Sequence, residues 1–191
     1  MADQPKIILV RHGETAWSAA GCHTGLTDVP LTAAGEAQAR RLGQTLAGRP
    51  FTAALTSPLT RARDTCRLAG LSGAEVVEDL TEWDYGEIEG RTTAEIREER
   101  PDWSIWTHGA PGGESVQAVS TRVDRVLAGL LDREGEVVVV AHGHLLRALA
   151  ARWLELPVVE GRRLRLEAGA TGELGWDHGV RALVAWNLQN S

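Results

Sequence analysis

The chain has 191 residues, 43% hydrophobic and 24% charged, the balance of an ordinary globular domain with a sizeable core and not of a disordered or fibrous chain. Its net charge of −6 argues against a nucleic-acid partner, which needs a broad basic face, but allows a locally basic pocket. Two cysteines make no disulfide framework and no apolar run is long enough to span a bilayer, so a cytoplasmic protein without a membrane partner is expected.

Lys6 to Val10 contains the run Ile7-Ile8-Leu9-Val10 and reads as a buried strand of a parallel sheet. A stretch rich in Gly and Thr follows, through Gly21, Thr24, Gly25 and Pro30. Thr32 caps a helix whose apolar face continues through Leu42 and Leu46. Phe51 to Thr56 is a second strand, stopped by Ser57-Pro58, which opens a helix carrying Arg61, Thr65, Leu68 and Ala69. Val76-Val77 marks a short third strand. Glu82 to Gly90 is a loop of aromatic and acidic residues, and Thr92 to Arg100 is helical up to Pro101.

A Gly/Pro loop, Gly109 to Gly113, leads into a long helix from about Ser115 to Asp132, with Val119, Val123, Val126, Leu127 and Leu130 at helical spacing. Glu136 to Ala141, with Val137-Val138-Val139-Val140, is the strongest strand signal. His142-Gly143-His144 and a helix to Leu154 follow. Arg163 to Glu167 and Ala182 to Trp186 alternate in polarity and read as strands. There is no repeat or linker. The expectation is a single α/β domain over residues 1–191, a three-layer α/β/α arrangement with a mostly parallel central sheet.

In such sheets ligands bind at the carboxyl ends of strands. Two strands end in a His-Gly pair, at His12-Gly13 and His142-Gly143, and a third ends at Thr56-Ser57-Pro58 with Arg61 one turn on. If the three are adjacent, Arg11, His12, Arg61 and His142 share one crevice. Arginine forks match phosphate oxygens, and histidine is either a nitrogen nucleophile toward phosphorus or, protonated, a donor to phosphoryl oxygens. Glu82 is the choice among the loop carboxylates for protonating a leaving group. No Cys-x-x-Cys and no His pair at i, i+4 is present, so no metal and no cofactor is invoked. An isolated Arg-His-Gly means little, and a lone strand-end histidine is more often a structural hydrogen-bonder. Trp17, Trp83 and Trp106 divide evenly between packing and a substrate cleft.

The run Leu9-Val10-Arg11-His12-Gly13-Glu14-Thr15-Ala16-Trp17, then His23 to Gly35, Thr56 to Ala62, Glu82 to Gly90, Gly112 to Ser115 and Ala141-His142-Gly143, resembles the histidine phosphatase superfamily, also called phosphoglycerate mutase-like. The resemblance implies that His12 is phosphorylated, that Arg11, Arg61 and His142 form the phosphate pocket, and that Glu82 is the proton donor. It implies that Gly13 fixes the tautomer of His12, and that Thr24 and Gly25 sit near the phosphoryl group, with Gly143 beside His142. Where the mutase pattern has Asn after the tryptophan, this chain has Ser18, whose hydroxyl is expected to donate in its place. The chain is compact after the Glu82 loop, where mutases carry insertions. That favours hydrolysis of small phosphorylated metabolites, as in acid phosphatases and sugar-bisphosphatases, over a cofactor-dependent phosphoglycerate mutase or a phosphoprotein phosphatase. Ser18, His23, Tyr85, Trp106 and His108 are expected to set specificity. Either a monomer or a homodimer fits.

Overall fold

The computed structural model describes residues 4–189. The outer limits of the expected domain, Met1 and Ser191, lie outside the described residues. The strands are β1 (Lys6–Arg11), β2 (Phe51–Thr56), β3 (Glu75–Val76), β4 (Glu136–Ala141), β5 (Thr171–Asp177) and β6 (Val180–Leu188), and they form one sheet in the order β3-β2-β4-β1-β5-β6. The first four run parallel, while β5 is antiparallel to β1 and β6 to β5. The helices are α1 (Ala16–Ala20), α2 (Ala33–Leu46), α3 (Thr60–Leu68), α4 (Thr93–Glu99), α5 (Ile105–His108), α6 (Val116–Leu131) and α7 (Gly143–Trp153).

The period of two along the central strands builds the layers. Ile7, Leu9, Val137 and Val139 face one way, into a cluster with Val119, Val123 and Leu130 of α6 and Leu145 and Leu149 of α7. Ile8, Val10, Val138 and Val140 face the other way, onto Leu42 and Leu46 of α2 and Ala62 and Cys66 of α3. Burying each of these aliphatic side chains stabilises the fold by about 1.5–3 kcal/mol. The four valines are fully buried because both faces of β4 are covered, which is why the run does not alternate in polarity. Side-chain caps set the helix starts: Thr32 Oγ1 accepts from Gly35 N at 3.0 Å and Ser115 Oγ from Ala118 N at 3.1 Å.

Several elements differ from expectation. Arg163 to Glu167 is not a strand but the end of a 3-10 turn (Val158–Arg163) followed by irregular chain. Its backbone is satisfied by side chains: Trp186 Nε1 donates to Arg165 O at 2.6 Å, and Glu167 N donates to Asn187 Oδ1 at 2.8 Å. The strand beside β1 is β5, hidden in the sequence by Gly172 and Gly175, which weaken the strand signal. Gly172 is required there because a Cβ would lie 2.6 Å from the Trp186 ring. Helix α3 starts at Thr60, later than Pro58, because Leu59 N is held by Ser57 Oγ at 3.3 Å; β3 begins one residue early, and α5 was not expected.

The start of α2 presses on the loop after β1. A Cβ on Gly35 would lie 2.1 Å from Glu14 O, and one on Gly13 would lie 2.3 Å from Gly35 O. Both obstacles are backbone and cannot turn aside. Gly35→Ala is therefore expected to destabilise the protein by at least about 1–3 kcal/mol, read as a lower urea midpoint. A variant with the wild-type midpoint would show that this approach is not tight.

Candidate active site

The carboxyl ends of β1, β4 and β2 are in register, with Arg11 opposite Ala141 and Thr56 opposite Val140. One residue further on, His12 N donates to Ala141 O at 3.0 Å and Ser57 N to Val140 O at 3.1 Å. His12, Ser57 and His142 are thereby brought together, and the two imidazole centroids are 5.1 Å apart. A cavity of about 400 Å³ opens here, lined by His12, Arg11, Thr24, Glu82 and Gly143 among others.

His12 Nδ1 lies 2.7 Å from Gly13 O. A carbonyl only accepts, so Nδ1 carries the hydrogen and Nε2 keeps its lone pair. Burial, then Arg61 and Arg11, push this imidazole well below its ordinary value near 6.5, against the opposing bond to Gly13. The Gly13 carbonyl thus selects this tautomer. The glycine is itself held: Gly13 N donates to Thr65 Oγ1 at 3.1 Å, and Thr65 Oγ1 donates to Arg61 O at 2.7 Å. Thr65 is fully buried.

Arg61, expected in the phosphate pocket, is held by the protein itself. Its Nε donates to His142 Nδ1 (3.2 Å), Nη1 to Thr27 O (3.0 Å) and Nη2 to Thr24 O (3.1 Å) and Gly25 O (2.8 Å). Four of its five N–H groups are thus engaged by the protein. The guanidinium is fully buried, clasping the Thr24–Thr27 loop. Arg61 Nε can only donate, so His142 Nδ1 accepts and the ring's hydrogen is on Nε2, 2.7 Å from Ser57 Oγ. Burial and Arg61 hold His142 well below the usual imidazole range, so it is a neutral donor and not the protonated one considered from the sequence. Arg11 Nη1 donates to Leu166 O at 2.7 Å, whereas its buried Nε has no hydrogen-bond partner among the described residues.

Glu82 is buried against the start of α7. Its Oε1 accepts from Trp83 N and Leu145 N, both at 2.9 Å, and Oε2 from His144 N at 3.0 Å, which fixes the carboxyl group's orientation at the cavity wall. A Cβ on Gly143 would lie 3.3 Å from the Arg11 guanidinium carbon, so the glycine gives Arg11 its room. Ser18 lines the cavity, but its hydroxyl accepts from Thr15 N at 2.9 Å and donates to Thr15 O at 3.0 Å. Its proton therefore goes to α1's cap and not toward phosphate, a correction to the expected donor role. Thr24 Oγ1 likewise donates to Cys22 O at 3.2 Å.

Of the expected specificity residues, His23, Tyr85 and Trp106 line the cavity; His108 does not, its Nδ1 being taken by Ser104 N at 3.2 Å. Trp83 is a core residue, with Nε1 on Glu114 O, and Trp17 packs on Gly90. The structure adds Thr93, Arg97, Trp103, His144 and Arg147. The sequence carried a signal for His144 and Arg147, which lie within the first turns of the helix after His142; nothing pointed to the others. Tyr85 OH and His144 Nδ1 are 2.5 Å apart, and His23 is held down to about 4 by burial.

Residues 7–189 match the model of the histidine phosphatase superfamily (branch 1). Over 187 residues the chain is 46% identical to an acid phosphatase of Mycobacterium tuberculosis, covering 96% of this chain and 92% of that one. It is 39% identical over 188 residues to a sedoheptulose 1,7-bisphosphatase of Saccharomyces cerevisiae, covering 81% and 69%. A solved structure of a Mycobacterium tuberculosis open reading frame superposes with a TM-score of 0.93 at 44% identity, over 97% of this chain and 98% of that one.

Thr65→Val keeps the shape but leaves Gly13 N unpaired in the core, which costs about 1–3 kcal/mol. It should also let the His12 tautomers mix, seen as movement of the imidazole 15N shifts, while Thr65→Ser keeps a single Nδ1–H form. Unchanged shifts in Thr65→Val would remove Thr65 from the chain that holds His12. The buried histidines set an acid limit. His23 titrates near 4 when folded and near 6.5 when unfolded, so its contribution is complete above pH 6.5 and is lost as pH falls toward 4, up to about 3 kcal/mol. His12, His142 and His144 act in the same direction. Urea unfolding free energy should therefore fall steadily from pH 7 to 4.5; a flat profile would contradict the neutral buried set.

Proposed function

Because the chain belongs to the histidine phosphatase superfamily (branch 1) and is a phosphatase, we propose that it hydrolyses small phosphorylated metabolites through a phosphohistidine on His12, without a metal in the reaction. The observation that supports this most is the bare Nε2 of His12 in the same cavity as the unpartnered Nε of Arg11: a nucleophile beside a buried donor fork.

In this reading Nε2 attacks phosphorus, and the bond from phosphorus to the ester oxygen breaks as Glu82 gives that oxygen a proton. Arg11 takes the charge on the phosphoryl oxygens. His142 turns its Nε2–H from Ser57 to a phosphoryl oxygen, oriented by Arg61 from behind. Water then attacks the phosphohistidine, Glu82 recovers a proton from it, and inorganic phosphate leaves with His12 restored. A cytoplasmic location belongs to the same proposal, supported by the free thiols of Cys22 and Cys66.

His12→Ala should abolish both turnover and the acid-labile phosphoenzyme trapped by rapid quench; wild-type turnover in that variant would end the proposal. Because His12 is held well below 6.5, kcat/KM should not fall through a pKa near 6.5 on the acid side, and protonation of the nucleophile should appear only well below it. Glu82→Gln should lose about 10²- to 10⁴-fold on alkyl phosphates and much less on p-nitrophenyl phosphate, whose leaving group needs no proton. Equal losses on both would remove Glu82 as the acid. Adding 2,3-bisphosphoglycerate to a 3-phosphoglycerate assay separates hydrolysis, which yields phosphate, from transfer, which yields 2-phosphoglycerate.

A further inference from the structure

The run Gly112 to Ser115 belongs to the motif set, but it lies outside the lining of the cavity. It acts on the loop that carries Glu82. Glu114 N donates to Asp84 O at 2.9 Å, Glu114 O accepts from Trp83 Nε1 at 3.0 Å, and Glu114 Oε2 accepts from Asp84 N at 3.0 Å. A Cβ on Gly113 would lie 2.3 Å from Asp84 O, so this turn meets the loop backbone to backbone.

Glu114 in turn orients Arg122 of α6. Arg122 Nε donates to Glu114 Oε1 at 2.9 Å and Nη2 to Glu114 Oε2 at 2.6 Å, a bidentate pair that fixes the guanidinium plane. The far side of the fork clasps the loop's main chain. Nη1 donates to Asp79 O at 2.8 Å and to Thr81 O at 2.5 Å, and Nη2 donates to Glu82 O at 3.4 Å. Irregular chain needs donors for its carbonyls, and Arg122 supplies them. The place is particular, however, because the clasp closes on the peptide of Glu82 itself. The carboxyl group of the same residue is held by the amides of His144 and Leu145 in the first turn of α7. Glu82 is thus fixed at both ends, its main chain from α6 and its side chain from α7. These are the helices before and after β4, which leads into His142 and pairs in register with β1, the strand that leads into His12. The acid and the nucleophile share one frame.

Building on the reading of Glu82 as the proton donor, we propose that Arg122, oriented by Glu114, is a positioning residue that sets the Glu82 carboxyl group at the leaving oxygen. Neither side chain lines the cavity, so both act through Glu82. Proton transfer tolerates little displacement, and a misplacement of about 1 Å costs about a hundredfold. Loss of the fork therefore weakens protonation of the leaving group and spares the attack of His12 on phosphorus.

The test compares leaving groups by kcat/KM, which ends at phosphorylation of His12. Arg122→Met should lose about ten- to a hundredfold on glycerol 3-phosphate and less than about threefold on p-nitrophenyl phosphate. Equal losses on both overturn the proposal. Arg125→Met, on the same helix and paired with the Asp79 side chain, is the control and should keep the wild-type ratio. Arg122→Lys keeps the charge that helps to hold His142 neutral but gives up the fork, and should lose selectively as Arg122→Met does. A wild-type ratio in that variant would reduce Arg122 to a charge and overturn the proposal. In a Glu82→Gln background, Arg122→Met should add little further loss on glycerol 3-phosphate, whereas a full additional loss would show that it acts independently of Glu82. The amides of His144 and Leu145 report on the Glu82 carboxyl group without turnover. Their 1H–15N resonances should move in Arg122→Met and stay in Arg125→Met; unmoved resonances in Arg122→Met overturn the positioning role. If Glu82→Gln itself loses equally on both substrates, the reading of Glu82 as the acid falls, and the amide resonances still decide whether Arg122 places it. Should Arg122→Met fail to fold, Arg122→Lys and Glu114→Gln are held to the same criteria.

Discussion

The hydrogen bond from His12 Nδ1 to Gly13 O is the constraint on which the site depends. A neutral imidazole has two tautomers, and only one presents a lone pair at Nε2. The bond selects that form, and it holds only while the Gly13 carbonyl keeps its direction. Three neighbours see to this. Gly13 N is tied to Thr65, Thr65 to the backbone of Arg61, and the Gly13 backbone itself is pressed against Gly35. The tautomer of one side chain is thus fixed by β1, α2 and α3 together, which is a reason for those elements to pack as closely as they do.

Arg61 extends the same logic to the second histidine. Its Nε imposes the opposite tautomer on His142, with the hydrogen on Nε2. One ring is left as a nucleophile and its neighbour, 5.1 Å away, as a donor. Both stay neutral because burial beside arginine disfavours a second positive charge. Function and stability then pull apart: the environment that keeps the histidines unprotonated in mild acid is the one that makes the fold acid-sensitive, since the unfolded chain takes up the protons that the folded one refuses.

Most of the sheet and the inner site were legible in the sequence. Val137 to Val140 was the strongest strand signal, and His-Gly at two strand ends with Arg61 after a third put Arg11, His12, Arg61 and His142 in one crevice once the three strands were adjacent. The failures have physical causes. Strand β5 carries Gly172 for the sake of Trp186 and so lacks the β-branched signature, while Arg163 to Glu167 alternates like a strand but finds side-chain partners for its backbone. Side-chain direction was the harder problem. Ser18 and Arg61 lie where the motifs put them, but the hydroxyl turns back to Thr15 and the guanidinium to a loop and to His142. Spacing fixes where a residue sits; which acceptor wins its hydrogen is a tertiary matter. Arg97 and Trp103 had no motif at all, because α4 and the following turn reach the cavity only through the fold.

The charge distribution follows from these placements. An acidic chain repels anionic substrates at long range, and salt screens that repulsion beyond about 10 Å. What matters is therefore the field inside the cavity, where the dielectric is lower and single charges act strongly. There the histidines are neutral, one carboxylate is bound by backbone amides, and Arg11, Arg97 and Arg147 are left without acidic partners among the described residues. Pairing many of the other arginines with carboxylates, while these three have none among the described residues, places positive potential at the cavity. The net charge of the chain and the sign of its pocket are thus set independently, and the second is what a phosphorylated substrate meets.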